Sequence, residues 1–380
     1  MTEKGRILVV GAGFAGAVYA RTLAEAGYRV EVIDQRAHIA GNAFDETDAQ
    51  TGIRFHRYGP HLFHTKLEAV VQWLSRFTTW LPYEHRVRAL MEDGRYVPLP
   101  VNMETINSIF ATALNNQAEV EAFLQELAVP HVAPRNALDY LQSKIGTELT
   151  ELLFARYTRK MWALGLEDMD ASVVKRLPIR FNHDDRYFPE DRFQMLPEHG
   201  YTALVQAILD HSGITVDLST PFERAMQKDV VWTFSSMAID DYFGNALGPL
   251  PYRSIRFHHV HQPIKSKTTW AVTNFTDTGP ITRETHWHLL PGHNNPTGAA
   301  ALVTREEPCD YRDNHMERYY PVKTADGIYV TRYEQYRQMA RQEPALTFIG
   351  RCGTYQYLDM DQVINQSLAG ARKWLDEQAK

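Results

Sequence analysis

Apolar positions open the chain in a compact pattern. Residues 7–10 form a continuous apolar run, suited to a parallel strand buried on both faces. Next comes Gly11-Ala12-Gly13-Phe14-Ala15-Gly16, then apolar positions Ala17, Ala20, Leu23 and Ala24 at helical spacing, ending at Gly27. Residues 28–33 alternate as a second strand and end at Asp34. Residues 66–80 read as a helix through Val70, Val71, Trp73 and Leu74. Two alternating runs then flank Asp93-Gly94, a hairpin signal. From residue 103 to about 162 the spacing is helical, with breaks at Asn115-Asn116, Pro130 to Pro134 and Gly146. After Gly200 a helix and a strand return. Residues 230–335 hold short strand-like runs that read as an antiparallel sheet. The segment from 345 onward reads as strand, glycine-containing loop and helix.

This order predicts an α/β fold: a discontinuous Rossmann-type domain with two inserts. The FAD-binding domain is expected over 1–80, 195–240 and 338–380. A helical insert is expected over 101–156. A sheet and substrate domain is expected over 81–100, 157–194 and 241–337. Each glycine of the first turn has a task. Gly11 permits the tight turn, Gly13 lets the backbone approach a pyrophosphate, and Gly16 lets helix and sheet pack closely. The helix N-terminus offers N–H groups to phosphate, and Asp34 is placed for an adenosine ribose. RAHIAGN, with Arg36, Gly41 and Asn42, resembles the second pyrophosphate contact of flavoproteins. It points to FAD rather than to a nicotinamide cofactor.

Composition narrows the picture. The chain has 380 residues, enough for two or three domains, and a formal net charge of −6, so no broad positive field favours nucleic acid. Lys4 and Arg6 before an apolar stretch mimic a signal peptide, but the glycine spacing argues for a nucleotide turn. No apolar run reaches 18 residues, so no membrane span is expected. Two cysteines, Cys309 and Cys352, make no disulfide framework and fit a cytoplasmic setting. GPHLFHT at 59–65 carries His61 and His64 among apolar residues. They lack the further partners that a zinc site needs, so no metal is expected. Cofactor partners and ordinary core histidines stay open.

Over essentially its whole length the chain resembles the prokaryotic UDP-galactopyranose mutase family. The matching stretches are GAGFAGAVYA with VIDQR, GPHLFHT, YTRKMW, KRLPIR with DDRYF, ITRETHW, RYYPV and GRCGTYQYLDMDQVI. The resemblance implies an isomerase that interconverts UDP-galactopyranose and UDP-galactofuranose without net redox change. Reduced FAD is the nucleophile there: its N5 attacks the anomeric carbon and UDP leaves. NADPH or NADH is the implied reductant and a homodimer the implied assembly. The flavin's contacts would be Gly11, Gly13, Phe14, Gly16, Asp34, Gln35, Arg36, Gly41, Asn42, His61, Leu62, Arg351, Asp359, Met360, Asp361, Gln362 and Val363. Arg176 and Arg283 would clamp the diphosphate, with Tyr187, Tyr320 and Tyr357 donating hydrogen bonds. Tyr157 would stack on uracil near Thr158 and Trp162, Asn274 would face the nucleotide, and His64 would lie by the isoalloxazine. Residues 163–180 would form a mobile lid. The chain departs from the pattern at His85, where relatives have asparagine. It departs again at Leu153 and Phe154, which share the place of one substrate-facing phenylalanine. The FAD motifs alone fit an amine or alcohol oxidase or dehydrogenase equally well. A non-catalytic nucleotide-sugar-binding protein is a third reading.

Overall fold

In the computed structural model, residues 4–130, 133–175, 178–264, 268–293 and 300–379 are described. Strand β1 (Lys4–Val10), helix α1 (Phe14–Glu25) and strand β2 (Tyr28–Ile33) make the expected opening unit. β1 and β2 are parallel and sit in the middle of a five-stranded sheet. Its order is Ile214–Asp217, β2, β1, Trp232–Ser235, Leu346–Phe348, and every pairing is parallel. The strands come from distant parts of the chain, so the nucleotide-type sheet is discontinuous.

Gly16 shows why the turn is spelled as it is. A Cβ there would stand 1.9 Å from the Gly11 carbonyl oxygen. Only glycine lets α1 lie this close to β1. Gly11 has φ +104, and Gly27 follows the helix at φ +91.

The second sheet has seven strands, ordered Tyr320–Pro321, Tyr252–Pro263, Ala300–Asp310, Arg283–His286, Val272–Phe275, Val87–Leu90, Tyr96–Leu99. It is antiparallel except where Val272–Phe275 runs parallel to Val87–Leu90, so the expected antiparallel sheet is mixed at one joint. Val87–Leu90 and Tyr96–Leu99 are the hairpin around Asp93-Gly94, with Gly94 at φ +85. A third, three-stranded sheet joins Phe63–Thr65, Phe193–Pro197 and Trp80–Pro82. The helix expected over 66–80 is therefore shorter, Glu68–Leu74, because Trp80 is recruited as an edge strand against Pro197.

The helical insert comprises Met103–Phe110, Gln117–Leu127, Ala137–Thr150 and Arg156–Trp162. Asn102, Asn116 and Asn136 each cap a helix by accepting an N–H bond from three residues on. Gly146 takes φ +73 within Ala137–Thr150, where a Cβ would strike the Leu127 carbonyl. A π-helical turn, Glu151–Ala155, leads into Arg156–Trp162. Such turns often mark functional segments.

A histidine chain pins the segment before His61. The His61 N–H donates to His56 Nδ1 at 3.0 Å, and His56 Nε2 lies 3.2 Å from His293 Nε2. His293 Nδ1 is 3.1 Å from the Pro291 carbonyl. Because His56 Nδ1 accepts, its proton is on Nε2. That proton is donated to His293, whose own proton then points at Pro291. Both rings are buried and neutral. Burial, followed by the charge of neighbouring basic groups, drives His56 well below the ordinary 6.5. Burial holds His293 at about 4 against its hydrogen bond to Pro291. A depressed histidine leaves the unfolded chain with more protons in acid, so stability is complete above about pH 6.5 and is lost as pH falls toward 4. Each such site steepens the loss by about 1.4 kcal/mol per pH unit. Urea midpoints measured from neutral pH to about pH 5 should fall accordingly, and His293→Phe should flatten the slope.

Candidate active site

Two adjoining regions form where the sheets meet, a cleft and a cluster of side chains beside it. The first is a cleft over the C-terminal ends of β1 and β2. Of the expected cofactor residues, Gly11, Gly13, Phe14, Asp34, Gln35, Arg36, Gly41, Asn42, His61, Arg351, Met360 and Val363 line it. Gly13 caps α1 without a side-chain bond, and no acidic residue lies in the first turn. The helix N-terminus is thus left to an anion. Both Asp34 oxygens accept backbone N–H bonds, from Ala12 at 2.8 Å and Arg36 at 2.9 Å, which orients the carboxylate at the rim. Arg36 donates to Asn42 at 2.9 Å, is ion-paired with Glu317, and lies over the Tyr58 ring.

Five expected contacts are not on that wall. Gly16 serves close packing of α1. Leu62 packs against the apolar core. Asp359 and Gln362 form the capping box of Met360–Gln378, with the Asp359 N–H donating to Gln362 Oε1 at 2.9 Å. Asp361 accepts the Thr65 hydroxyl at 2.8 Å. Sequence reading missed Glu317, Arg318, Ser236 and Thr220, which do line the cleft. Glu317 and Arg318 arrive from the second sheet's connections, and no local motif signals them.

The second compartment gathers aromatic and basic side chains. Arg283 and Glu306 face each other across adjacent strands, with a 2.8 Å ion pair. Glu306 is 1% exposed. Burial works against the guanidinium charge, but the Glu306 carboxylate more than offsets it and holds Arg283 protonated well above its usual range. Tyr320 and Tyr357 stack at 5.2 Å and 14°. Arg351 lies 5.0 Å from the Tyr357 ring, and Trp162 meets Tyr320 edge-on. Burial raises the Tyr157 phenol to about 12, against the pull of Arg283. Burial also raises Tyr320, so both stay protonated donors. Thr158 and Phe154 are buried nearby, Phe154 within the core of the helical insert together with Leu153.

His85 and Tyr187 complete one wall. The Tyr187 N–H donates to the His85 carbonyl at 2.7 Å. Burial, then Arg283 and His64, push His85 down to about 3, so the ring is neutral. His61, at the junction with the cleft, is held at about 4 by burial, with Arg351 and Arg283 adding to it. Arg180, the last residue of KRLPIR, donates to the carbonyls of Asp184, Arg186 and Tyr187 and so shapes the loop that presents Tyr187.

Among the described residues, three buried polar atoms of this compartment find no hydrogen-bond partner: Arg283 Nε, Glu306 Oε1 and Asn274 Oδ1. Asn274 is the strand partner of Arg283. Orphaned buried polar groups cost about 1–3 kcal/mol each. A ligand or water that meets them recovers that cost. Arg176 lies outside the described residues. The expected lid segment 163–180 is docked by buried Leu166, Met169 and Val174 over its described part. No group of three or more metal-ligating side chains occurs among the described residues. Nor is any helix among them long and apolar enough to cross a membrane.

Known proteins place this arrangement. The family model described as UDP-galactopyranose mutase matches residues 152–357. A model described as an NAD(P)-binding Rossmann-like domain matches residues 9–77. A probable UDP-galactopyranose mutase of Klebsiella pneumoniae is 36% identical over 98% of this chain and 95% of its own. This chain belongs to the UDP-galactopyranose mutase family. It is accordingly an isomerase of the mutase type. The family also reaches it through a dTDP-fucopyranose mutase of Escherichia coli, 35% identical over 97% of this chain and 98% of that protein. A crystal structure of a reduced UDP-galactopyranose mutase superposes with TM-score 0.76 at 16% identity, covering 99% of this chain and 95% of that one. A putrescine oxidase shares the fold more distantly, with TM-score 0.57 at 12% identity and 98% and 99% of the two chains covered.

The Arg283–Glu306 pair sets a clear expectation for this mutase-family member. Arg283→Met leaves the Glu306 carboxylate buried without a counter-charge and should cost about 3–5 kcal/mol. The double variant Arg283→Met/Glu306→Leu should recover much of that loss. Chemical denaturation of wild type and the two variants measures both effects.

Proposed function

We propose that the chain interconverts UDP-galactopyranose and UDP-galactofuranose with reduced FAD as cofactor. The observation that carries this reading is the compartment beside the dinucleotide cleft. It holds an arginine kept charged by a buried glutamate, tyrosine hydroxyls kept protonated, and the unpartnered Arg283 Nε, Glu306 Oε1 and Asn274 Oδ1. A diphosphate next to a sugar uses such groups, whereas a small neutral amine or alcohol leaves them unpaired.

The cleft's residues suit FAD. The uncapped α1 N-terminus and Arg36 would meet its pyrophosphate, Asp34 its ribose, and His61, Arg351 and Met360 the region toward the second compartment. When bound and reduced, the flavin supplies a nucleophilic N5 for the anomeric carbon. The chain's own residues do the rest. Arg283 and Arg176 would hold the diphosphate as its bond to the sugar weakens. Tyr187, Tyr320 and Tyr357 would donate to its oxygens, and Tyr157 would stack on the base with Thr158, Trp162 and Phe154 around it. Segment 163–180 would close over them and exclude water. His85, neutral and buried, would offer the sugar a hydrogen-bonding edge in place of an amide. The reading extends to a cytoplasmic homodimer reduced by NADPH or NADH.

The Escherichia coli relative favours a second reading, dTDP-fucopyranose. Purified protein should be incubated with UDP-galactofuranose or dTDP-fucofuranose, with and without dithionite, and the products separated by anion exchange. We expect UDP-galactopyranose from the first substrate, only when reduced. Conversion of the dTDP sugar alone moves the assignment to the second reading. Conversion of neither by the reduced, FAD-loaded protein overturns both. Arg176→Ala should retain FAD and lose most turnover, since a lost bidentate phosphate contact removes about 100-fold or more.

A further inference from the structure

His64 has a partner that no motif announces. Its Nδ1 lies 2.6 Å from Asp191 Oδ2, and its ring stacks flat on Phe188, with centroids 3.5 Å apart and planes at 10°. The strand Phe63–Thr65 holds the backbone, with His64 opposite Gln194. Gln194 in turn donates to the carbonyls of Phe188 at 2.8 Å and Asp191 at 3.3 Å, and the Asp191 N–H closes the turn onto Phe188 at 3.1 Å. Ring, carboxylate and turn therefore form one rigid unit. It stands at the junction of the two compartments. On one side the same Phe188 ring meets His85, with centroids 6.3 Å apart, and on the other Thr65, next to His64, donates to Asp361 at 2.8 Å, which adjoins Met360 of the cofactor cleft. The same turn follows Tyr187 directly.

We propose that Asp191 is a positioning residue: its carboxylate accepts the Nδ1 proton of His64 and leaves Nε2 to serve the reacting cavity. A neutral imidazole has one donor nitrogen and one acceptor. With the proton fixed on Nδ1, the Nε2 lone pair takes a proton from a sugar hydroxyl of the substrate, whose O–H bond breaks. The N–H bond forms at Nε2, the donor keeps its electron pair, and Asp191 balances the imidazolium charge. Asp191 is hydrogen-bonded to the ring, and His85 and Asp361 flank it. The proposal rests on the mutase reading for the identity of the proton donor, not for the tautomer.

The test uses FAD-loaded, oxidised protein labelled with nitrogen-15 in histidine, with His64→Gln to assign the signals. Wild type should show a pyrrole-like Nδ1 and a pyridine-like Nε2 at His64. Asp191→Ala, with wild-type FAD content, should move the proton to Nε2, and Asp191→Glu should restore the wild-type pattern in part. In the reduced assay Asp191→Ala should lose about 10-fold or more in kcat with KM within about twofold, as a misoriented acid–base group does. Asp191→Glu should recover part of that loss. An unchanged tautomer in Asp191→Ala, or a changed tautomer with unchanged kcat, overturns the proposal. If wild type carries the tautomer but converts neither sugar, the mutase reading fails while the positioning role stands.

Discussion

The site is organised by one ion pair, whose carboxylate is fully buried and whose guanidinium stays partly exposed. Arg283 and Glu306 lie opposite each other on adjacent strands, enclosed by tyrosines and by the histidines of two other segments. Two charges taken out of water hold each other only if geometry and hydrogen bonds compensate for lost hydration. Here the compensation is incomplete, because each partner keeps one buried atom without a bond. That shortfall makes a binding site. Burial chiefly keeps His61 and His85 neutral, and the nearby Arg283 guanidinium adds to that effect. Among the described residues the compartment thus presents the Arg283 and Arg351 guanidinium groups beside protonated tyrosines and neutral histidines, a combination suited to a diphosphate leaving a sugar.

The histidine pattern GPHLFHT resolves into separate tasks along one strand. His61 is neutral, faces the cofactor cleft, and hangs from the His56–His293 chain. His64 turns to Asp191 and Phe188 instead. Alternation along a strand points neighbours to opposite faces, but here His61 lies in the irregular segment just before Phe63–Thr65 and only His64 is in that strand. One short segment can therefore reach both compartments. The loop from Arg180 to Asp191 reinforces this coupling, since it carries Tyr187, Phe188 and Asp191 and is held by the bonds of Arg180 and Gln194.

Much of the nucleotide-binding half was legible because its signals are local. Glycine at 11 answers to φ and glycine at 16 to close approach within one βαβ unit, and the helix breaks at Asn116 and Gly146 answer to capping and to a steric clash nearby. Where reading from sequence fell short, a distant segment intervened. Trp80 continues a helical pattern on paper but pairs with Pro197 in space. Asp359 and Gln362 sit beside a cofactor motif yet close a helix terminus. The clamp tyrosines and Arg283 were chosen through family resemblance, because a tyrosine or arginine on a strand carries no local mark of its role.

Sequence by itself determined the βαβ turn, the alternation of strands, the caps, and the family to which the chain belongs. These rest on interactions between residues a few positions apart, or on motifs read in order. Tertiary structure alone decided that Glu306 meets Arg283, that Glu317 meets Arg36, and that Asp191 meets His64. Each of these pairs joins segments that are remote in the chain, and the energy of a charge depends on what excludes water around it. That exclusion is a property of the packed fold, not of any stretch of residues.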